Sequence, residues 1–271
     1  MGKQLTKQVL AVIKQGEWPK LESATEHGRR IFLQAMERVD EFKGDPEQLL
    51  GTIRLLQTAD SRPFALAGAA YTLVAAAKDR GGVYDEDGLK AAMFWLEKAQ
   101  DMEAEIIEIN CIEAIIYIHS NRFEDARLIL DYLSEIDPYN FYLHQVEVVY
   151  WVAAKDKEQA VEWIERTIQS AVTIPQRLRM RAKLGDVYLN AKEYEKAVDV
   201  LKEAIHFDKE NASLWYRLSV AYYRLSNFAE ADRANKQTLR LQSNHAAALK
   251  VQEALKKQKG GTGGLRRLFG G

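Results

Sequence analysis

Five histidines, His27, His119, His144, His206 and His245, are the residues best suited to proton transfer or metal ligation, and they stand singly along a chain of 271 residues. No His-Glu-x-x-His run sets two of them on one helix turn, and none has a cysteine at ligand spacing. A single cysteine, Cys111, excludes an intramolecular disulfide framework and a multi-cysteine zinc site, which suits a reducing compartment. The acidic run from Asp85 to Gly88 has the composition of a calcium loop without its alternating ligands or a glutamate six residues past the glycine. Phosphate-cradling glycine loops, a Gly-x-Ser-x-Gly elbow and paired carboxylates are missing as motifs, and the acids fall on polar helix faces. The chain therefore reads as a non-enzyme that needs no cofactor and no metal.

Charge points the same way. Thirty-nine acids and 38 bases leave a net charge of −1, so no overall field recruits nucleic acid. One local patch departs from this balance: after Glu253 there is no acid, while Lys256, Lys257, Lys259, Arg266 and Arg267 are all positive. Residues 260–264 form a Gly-rich tether, and Leu265, Arg266, Arg267, Leu268 and Phe269 form a short basic amphipathic tip. Three readings of the tip stand side by side: a docking peptide, including self-association with a neighbouring copy; a weak contact with an anionic membrane; or a disordered end. Apolar runs fall short of membrane-spanning length and nothing resembles a secretory signal, so the cytoplasm is the expected compartment. Gly2 and Thr6 fit a loose acylation pattern, but Lys3 argues against it.

The elements that carry these residues are helices. Residues 1–60 hold three amphipathic segments: Lys3 to Lys14; roughly Lys20 to Phe42; and a third capped by Asp45 with Pro46 in its first turn. They fit no repeat template and read as an N-terminal cap or divergent repeat, which a stack needs to cover its first apolar face. From 61 to 245 the chain repeats itself, in about five units. Ala92, Ala126, Ala160, Ala197 and Ala231 follow at steps of 34, 34, 37 and 34, and Leu184, Gly185, Tyr188 and Tyr194 recur 34 residues on as Leu218, Ser219, Tyr222 and Phe228. The long step is expected as an insertion between units around Thr173-Ile174-Pro175. Gly68 and Tyr71 align with Gly185 and Tyr188, which places an insertion of about a dozen residues around 80–88. Residues 246–259 read as a polar capping helix, ahead of the tail at 260–271.

These residues resemble the tetratricopeptide repeat family, whose 34-residue units place Leu-Gly, an aromatic, Ala, an aromatic, Ala and Pro at fixed offsets. The match covers roughly Ser61 to Ser243 and is strongest in its last two units. Departures are Ser219 and Ala114 for Gly, Lys209 for Pro, and Glu147 for Leu. The resemblance implies an all-α, right-handed α-solenoid of stacked helix hairpins and a scaffold that binds a peptide or amphipathic helix of a partner protein in a concave groove. A membrane-peripheral assembly factor or chaperone-like protein, localised by the basic amphipathic tail, is the alternative.

Carried over position by position, the groove would present Cys111, Ile115, Ile118 and His119 from the first of four units. The second adds Tyr142, Gln145, Val149 and Val152; the third Arg179, Asp186, Leu189 and Asn190; the fourth Tyr216, Val220, Tyr223 and Arg224. The Lys and Asn pair by which some relatives clamp an acidic C-terminal peptide is missing. An apolar, tyrosine-rich channel is therefore expected, suited to an amphipathic helix or extended hydrophobic segment.

Overall fold

The computed structural model describes residues 2–79 and 81–268, with side chains through 258. Among them are fourteen α-helices and a single isolated antiparallel bridge, Lys78 to Tyr84. The chain divides into two compact units, Met1–Ala154 and Lys155–Gly271.

In the first unit the hairpins are α4 (Arg62–Ala77) with α5 (Glu86–Gln100) and α6 (Ile107–His119) with α7 (Phe123–Ile136), and α8 (Phe141–Ala154) packs on α6 and α7. α4 is apolar all round because it is surrounded, by α1 (Gly2–Gln15), α2 (Glu26–Asp40), α3 (Pro46–Leu56), α5 and α6. Asp45 caps α3, as its spacing before Pro46 predicts. α2 begins later than expected, at Glu26, because Thr25 takes the cap and its hydroxyl accepts from the Gly28 N–H at 2.9 Å. Ser61 stands at the cap of α4 but its side chain does not cap it; the hydroxyl donates to the Ser23 carbonyl at 2.9 Å, and the Arg62 N–H bonds the Leu21 carbonyl, so residues 21–23 lie along the start of α4. Gly2, far from offering a free end, is buried with a prospective Cβ 2.6 Å from the Ala77 carbonyl oxygen.

Gly68 is not the counterpart of Gly185. A Cβ at Gly68 would meet Leu56 of α3, whereas one at Gly185 would meet Leu201, in the partner helix of its own hairpin. The close approach of α4 to α5 is made by Ala77 and Gly88, 2.7 Å from a prospective Cβ, so the segment 78–85 joins a hairpin of shifted register.

In the second unit α9 (Lys157–Ser170) packs on α10 (Ile174–Asn190), which pairs with α11 (Tyr194–Phe207). α12 (Ala212–Arg224) then pairs with α13 (Phe228–Leu241), and α14 (Ala246–Leu268) covers α13. The extra residues at Thr173-Ile174-Pro175 are not a link between units. They lengthen α10 by a turn at its start, where Thr173 and Gln176 form a reciprocal capping box and Pro175 occupies the first turn. α14 runs helically through the Gly-rich stretch expected to be a tether, since glycine costs a helix about 1 kcal/mol relative to alanine without forbidding it. The side chains of Leu265, Arg266, Arg267 and Leu268, and all of Phe269, lie outside the described residues, and the tail readings with them.

The repeat is visible in the backbone itself. Asn121, Lys155, Lys192 and Ser226 adopt left-handed φ of 59, 62, 63 and 59° at steps of 34, 37 and 34. After three of them the next N–H reaches back to the repeat aromatic, Arg122 to Tyr117, Glu193 to Tyr188 and Asn227 to Tyr222, each at 2.9 Å. All five register alanines are buried, at 0 or 1% exposure.

Candidate functional site

In the second unit a pocket of about 580 Å³ opens between α10 and α12. Asp186 and Arg217 cross its floor: the Arg217 guanidinium donates to both carboxylate oxygens, at 2.7 and 3.0 Å, and also to the Ser213 hydroxyl. Tyr216 lies against the ring of His245 with centroids 4.8 Å apart, and His245 is itself fixed by accepting the Ala248 N–H on Nδ1 at the start of α14. Leu189 and Val220 supply apolar wall, Tyr194 an aromatic edge from α11, and Lys183, Asn190 and Arg224 polar ends.

Of the eight residues expected from α10 and α12, six line this pocket: Asp186, Leu189, Asn190, Tyr216, Val220 and Arg224. Arg179 and Tyr223 do not line it; the Tyr223 ring packs edge-on against Phe228. Lys183, Arg217, Tyr194, Ser213 and His245 were missed. Lys183 and Arg217 stand 34 residues apart at the sixth position of their repeats, one helical turn before Asp186 and Val220, so the repeat register could have found them. Their equivalents in the preceding repeats, Ile112 and Val146, are buried apolar residues. The lining thus holds three cations, Lys183, Arg217 and Arg224, against the one carboxylate of Asp186. A purely apolar, tyrosine-rich channel is not what the sequence builds here, because the sixth positions bring charge to the face that the ninth and thirteenth positions share.

The first unit places its candidates differently. Ile115 and Ile118 are 6 and 2% exposed and, with Cys111, belong to the core, where burial pushes the Cys111 thiol upward. Tyr142 and Val149 are half-buried and pack against that core, and Gln145 and Val152 are half-buried on α8. His119 stacks on Tyr84 with centroids 3.9 Å apart and planes 13° from parallel, while the Lys78 Nζ lies 5.5 Å from the centre of the Tyr84 ring. Burial in this stack pushes the Tyr84 hydroxyl up to about 12. Tyr84, in the inserted segment, is therefore folded back onto the repeat. His119 also lines a smaller hollow of about 380 Å³ between α5 and α6, with Lys90, Met93 and Tyr117.

Glu147 stands where the repeat pattern calls for leucine. Its carboxylate is buried and takes two bonds from the Arg127 guanidinium of α7, at 2.6 and 3.0 Å. Glu108 of α6 is held in the same way by Arg29 of α2. Among the described residues no group of three or more His, Cys, Asp and Glu is placed to hold a metal ion, and no helix is long and apolar enough to cross a membrane.

Comparison with known proteins adds the family. A model described as TPR repeat matches residues 185–226, the stretch that runs from Gly185 to the left-handed Ser226. That stretch carries a tetratricopeptide repeat. A Drosophila melanogaster protein described as a BBSome complex member BBS4 homolog is 26% identical over 80 residues, which is 30% of this chain and only 16% of that relative. Among solved structures, the APC/C hetero-tetramer Cut9-Hcn1 is similar with a TM-score of 0.60 at 13% identity, over 84% of this chain and 46% of that one. The likeness is one of fold, an all-α solenoid of tetratricopeptide hairpins. YrrB, described as a TPR protein with an unusual peptide-binding site, gives a TM-score of 0.48 at 15% identity, over 82% of this chain and 97% of YrrB.

Proposed function

We propose that this tetratricopeptide repeat chain is a protein-interaction scaffold, and that the pocket between α10 and α12 receives an extended peptide of a partner protein. The observation that carries this reading is the composition of the lining. Tyr194, Tyr216, Leu189 and Val220 offer faces for aliphatic or aromatic side chains, and the Asn190 amide offers both a donor and an acceptor to a peptide backbone. With Arg217 engaged by Asp186, Arg224 at the end of the lining favours a peptide with an acidic side chain, through steering and charge-assisted bonds. A cytosolic setting suits the single, buried Cys111. The membrane-peripheral alternative rests on the tail, whose side chains lie outside the described residues.

The test is selection of binders from a random peptide library on the full chain, followed by titration. Asn190→Ala with Tyr216→Ala should weaken selected peptides at least ~10-fold, the loss expected for one well-packed anchor residue. Tyr223→Ala, outside the pocket, should leave them unchanged. Equal binding by all variants would remove the assignment.

A further inference from the structure

On the outer face of α7, Leu128 and Tyr132 stand where the three following repeats carry charged or polar residues. Leu128, Tyr132 and Ile136 follow one another at four-residue steps and leave 70, 55 and 49% of their surface exposed, and Tyr139 beyond the helix exposes 83%. Taken in the register of Ala126, Ala160, Ala197 and Ala231, the place of Leu128 is held by Glu162, Asp199 and Arg233. The place of Tyr132 is held by Arg166, Glu203 and Gln237. Three other repeats fold without apolar residues at these positions, so folding does not demand them at α7. Exposed apolar stripes of this kind mark contact surfaces.

One edge of the stripe is acidic. Glu124, Asp131 and Glu135 lie beside Leu128 and Tyr132 at helical spacing. Asp131 shares its charge with Arg127, whose guanidinium also serves Glu147. A ligand for this face must therefore set apolar side chains on the stripe and cations along its edge. Leu265 to Phe269 has that composition: Arg266 and Arg267 stand between Leu265, Leu268 and Phe269, within a stretch without acids after Glu253.

We propose that the Leu128–Tyr132–Ile136 face of α7 binds the basic tip Leu265–Phe269 of a second copy of the chain. The contact joins two different patches, so it is heterologous and copies add head to tail with rising concentration. It is independent of the pocket between α10 and α12.

Sedimentation velocity of the full chain across the micromolar range reads this directly. The average mass of the wild type should rise with concentration. Leu128→Glu with Tyr132→Glu, and separately Arg266→Glu with Arg267→Glu, should each raise the midpoint at least ~10-fold, the loss of one buried anchor or of a charged pair. The first pair introduces at Leu128 the residue that Glu162 already is at the same register, and circular dichroism checks that folding is unchanged. Combining Glu124→Lys and Glu135→Lys with Arg266→Glu and Arg267→Glu should restore association. A wild type that stays monomeric throughout, as it would if the tip docked on its own chain, overturns the proposal. So does association that neither substitution pair weakens.

Discussion

Arg217 of α12 grips the carboxylate of Asp186 on α10 with two bonds, at 2.7 and 3.0 Å, tying two neighbouring repeats together beneath the pocket. Because both side chains keep about a third of their surface in water, the pair contributes modestly. A double-mutant cycle of Asp186→Ala and Arg217→Ala should give a coupling of about 1 kcal/mol in urea unfolding, the range of bidentate, partly exposed pairs. A coupling near zero would show the pair to be incidental.

Arg127 and Glu147 should behave differently. Glu147 is 1% exposed, so removing its partner leaves a buried carboxylate without compensation. Arg127→Ala should lower stability by roughly 3–5 kcal/mol, whereas Arg127→Leu with Glu147→Leu should be near neutral. Equilibrium denaturation of the three proteins measures both.

Ala197 of α11 is fully buried in the core of the second unit. Ala197→Leu should cost about 1–3 kcal/mol by overpacking, seen as a lower midpoint in chemical denaturation of the second unit.

Thr173 tests the extended start of α10. Its hydroxyl accepts the Gln176 N–H, and Thr173→Ala should cost about 1 kcal/mol. An unchanged denaturation midpoint would mean that the added turn contributes nothing to the second unit.

Tyr84 gives a pH dependence. Burial raises its hydroxyl to about 12, above the ordinary tyrosine value of about 10, so the neutral form is favoured when folded. Between these values the unfolded chain releases a proton that the folded chain keeps. Stability is therefore full below pH ~10 and falls as pH rises toward 12, by about 1 kcal/mol at pH ~11. Tyr84→Phe should abolish that part of the decline, measured by urea unfolding at pH ~8 and ~11, and should delete one late-appearing phenolate from the ultraviolet titration.

The fold was legible because a repeat writes one physical constraint several times. The alanine steps reproduce the spacing of the left-handed turn residues Asn121, Lys155, Lys192 and Ser226, including the 37-residue step. What the register could not show was which side of a step took the extra residues. Thr173 and Pro175 carry ordinary helix-start chemistry, yet they read as a linker when only alanine spacing was compared. Gly68 misled for a related reason: a glycine announces a close approach without naming the neighbour, here Leu56. The departure at Glu147 was visible, but its partner Arg127 lies 20 residues earlier on another helix, beyond any local pattern. In the pocket, six of the eleven lining residues are positions carried over from the resemblance. Lys183 and Arg217 escaped because the sixth position is apolar core in the preceding repeats, at Ile112 and Val146, and changes character only here.

The most direct measurement is hydrogen exchange of the full chain with and without a saturating library-selected peptide. Protection should gather on segments 183–194 and 213–224, with little change on α6. Protection centred elsewhere, with those two segments exchanging as in the free protein, would contradict the account.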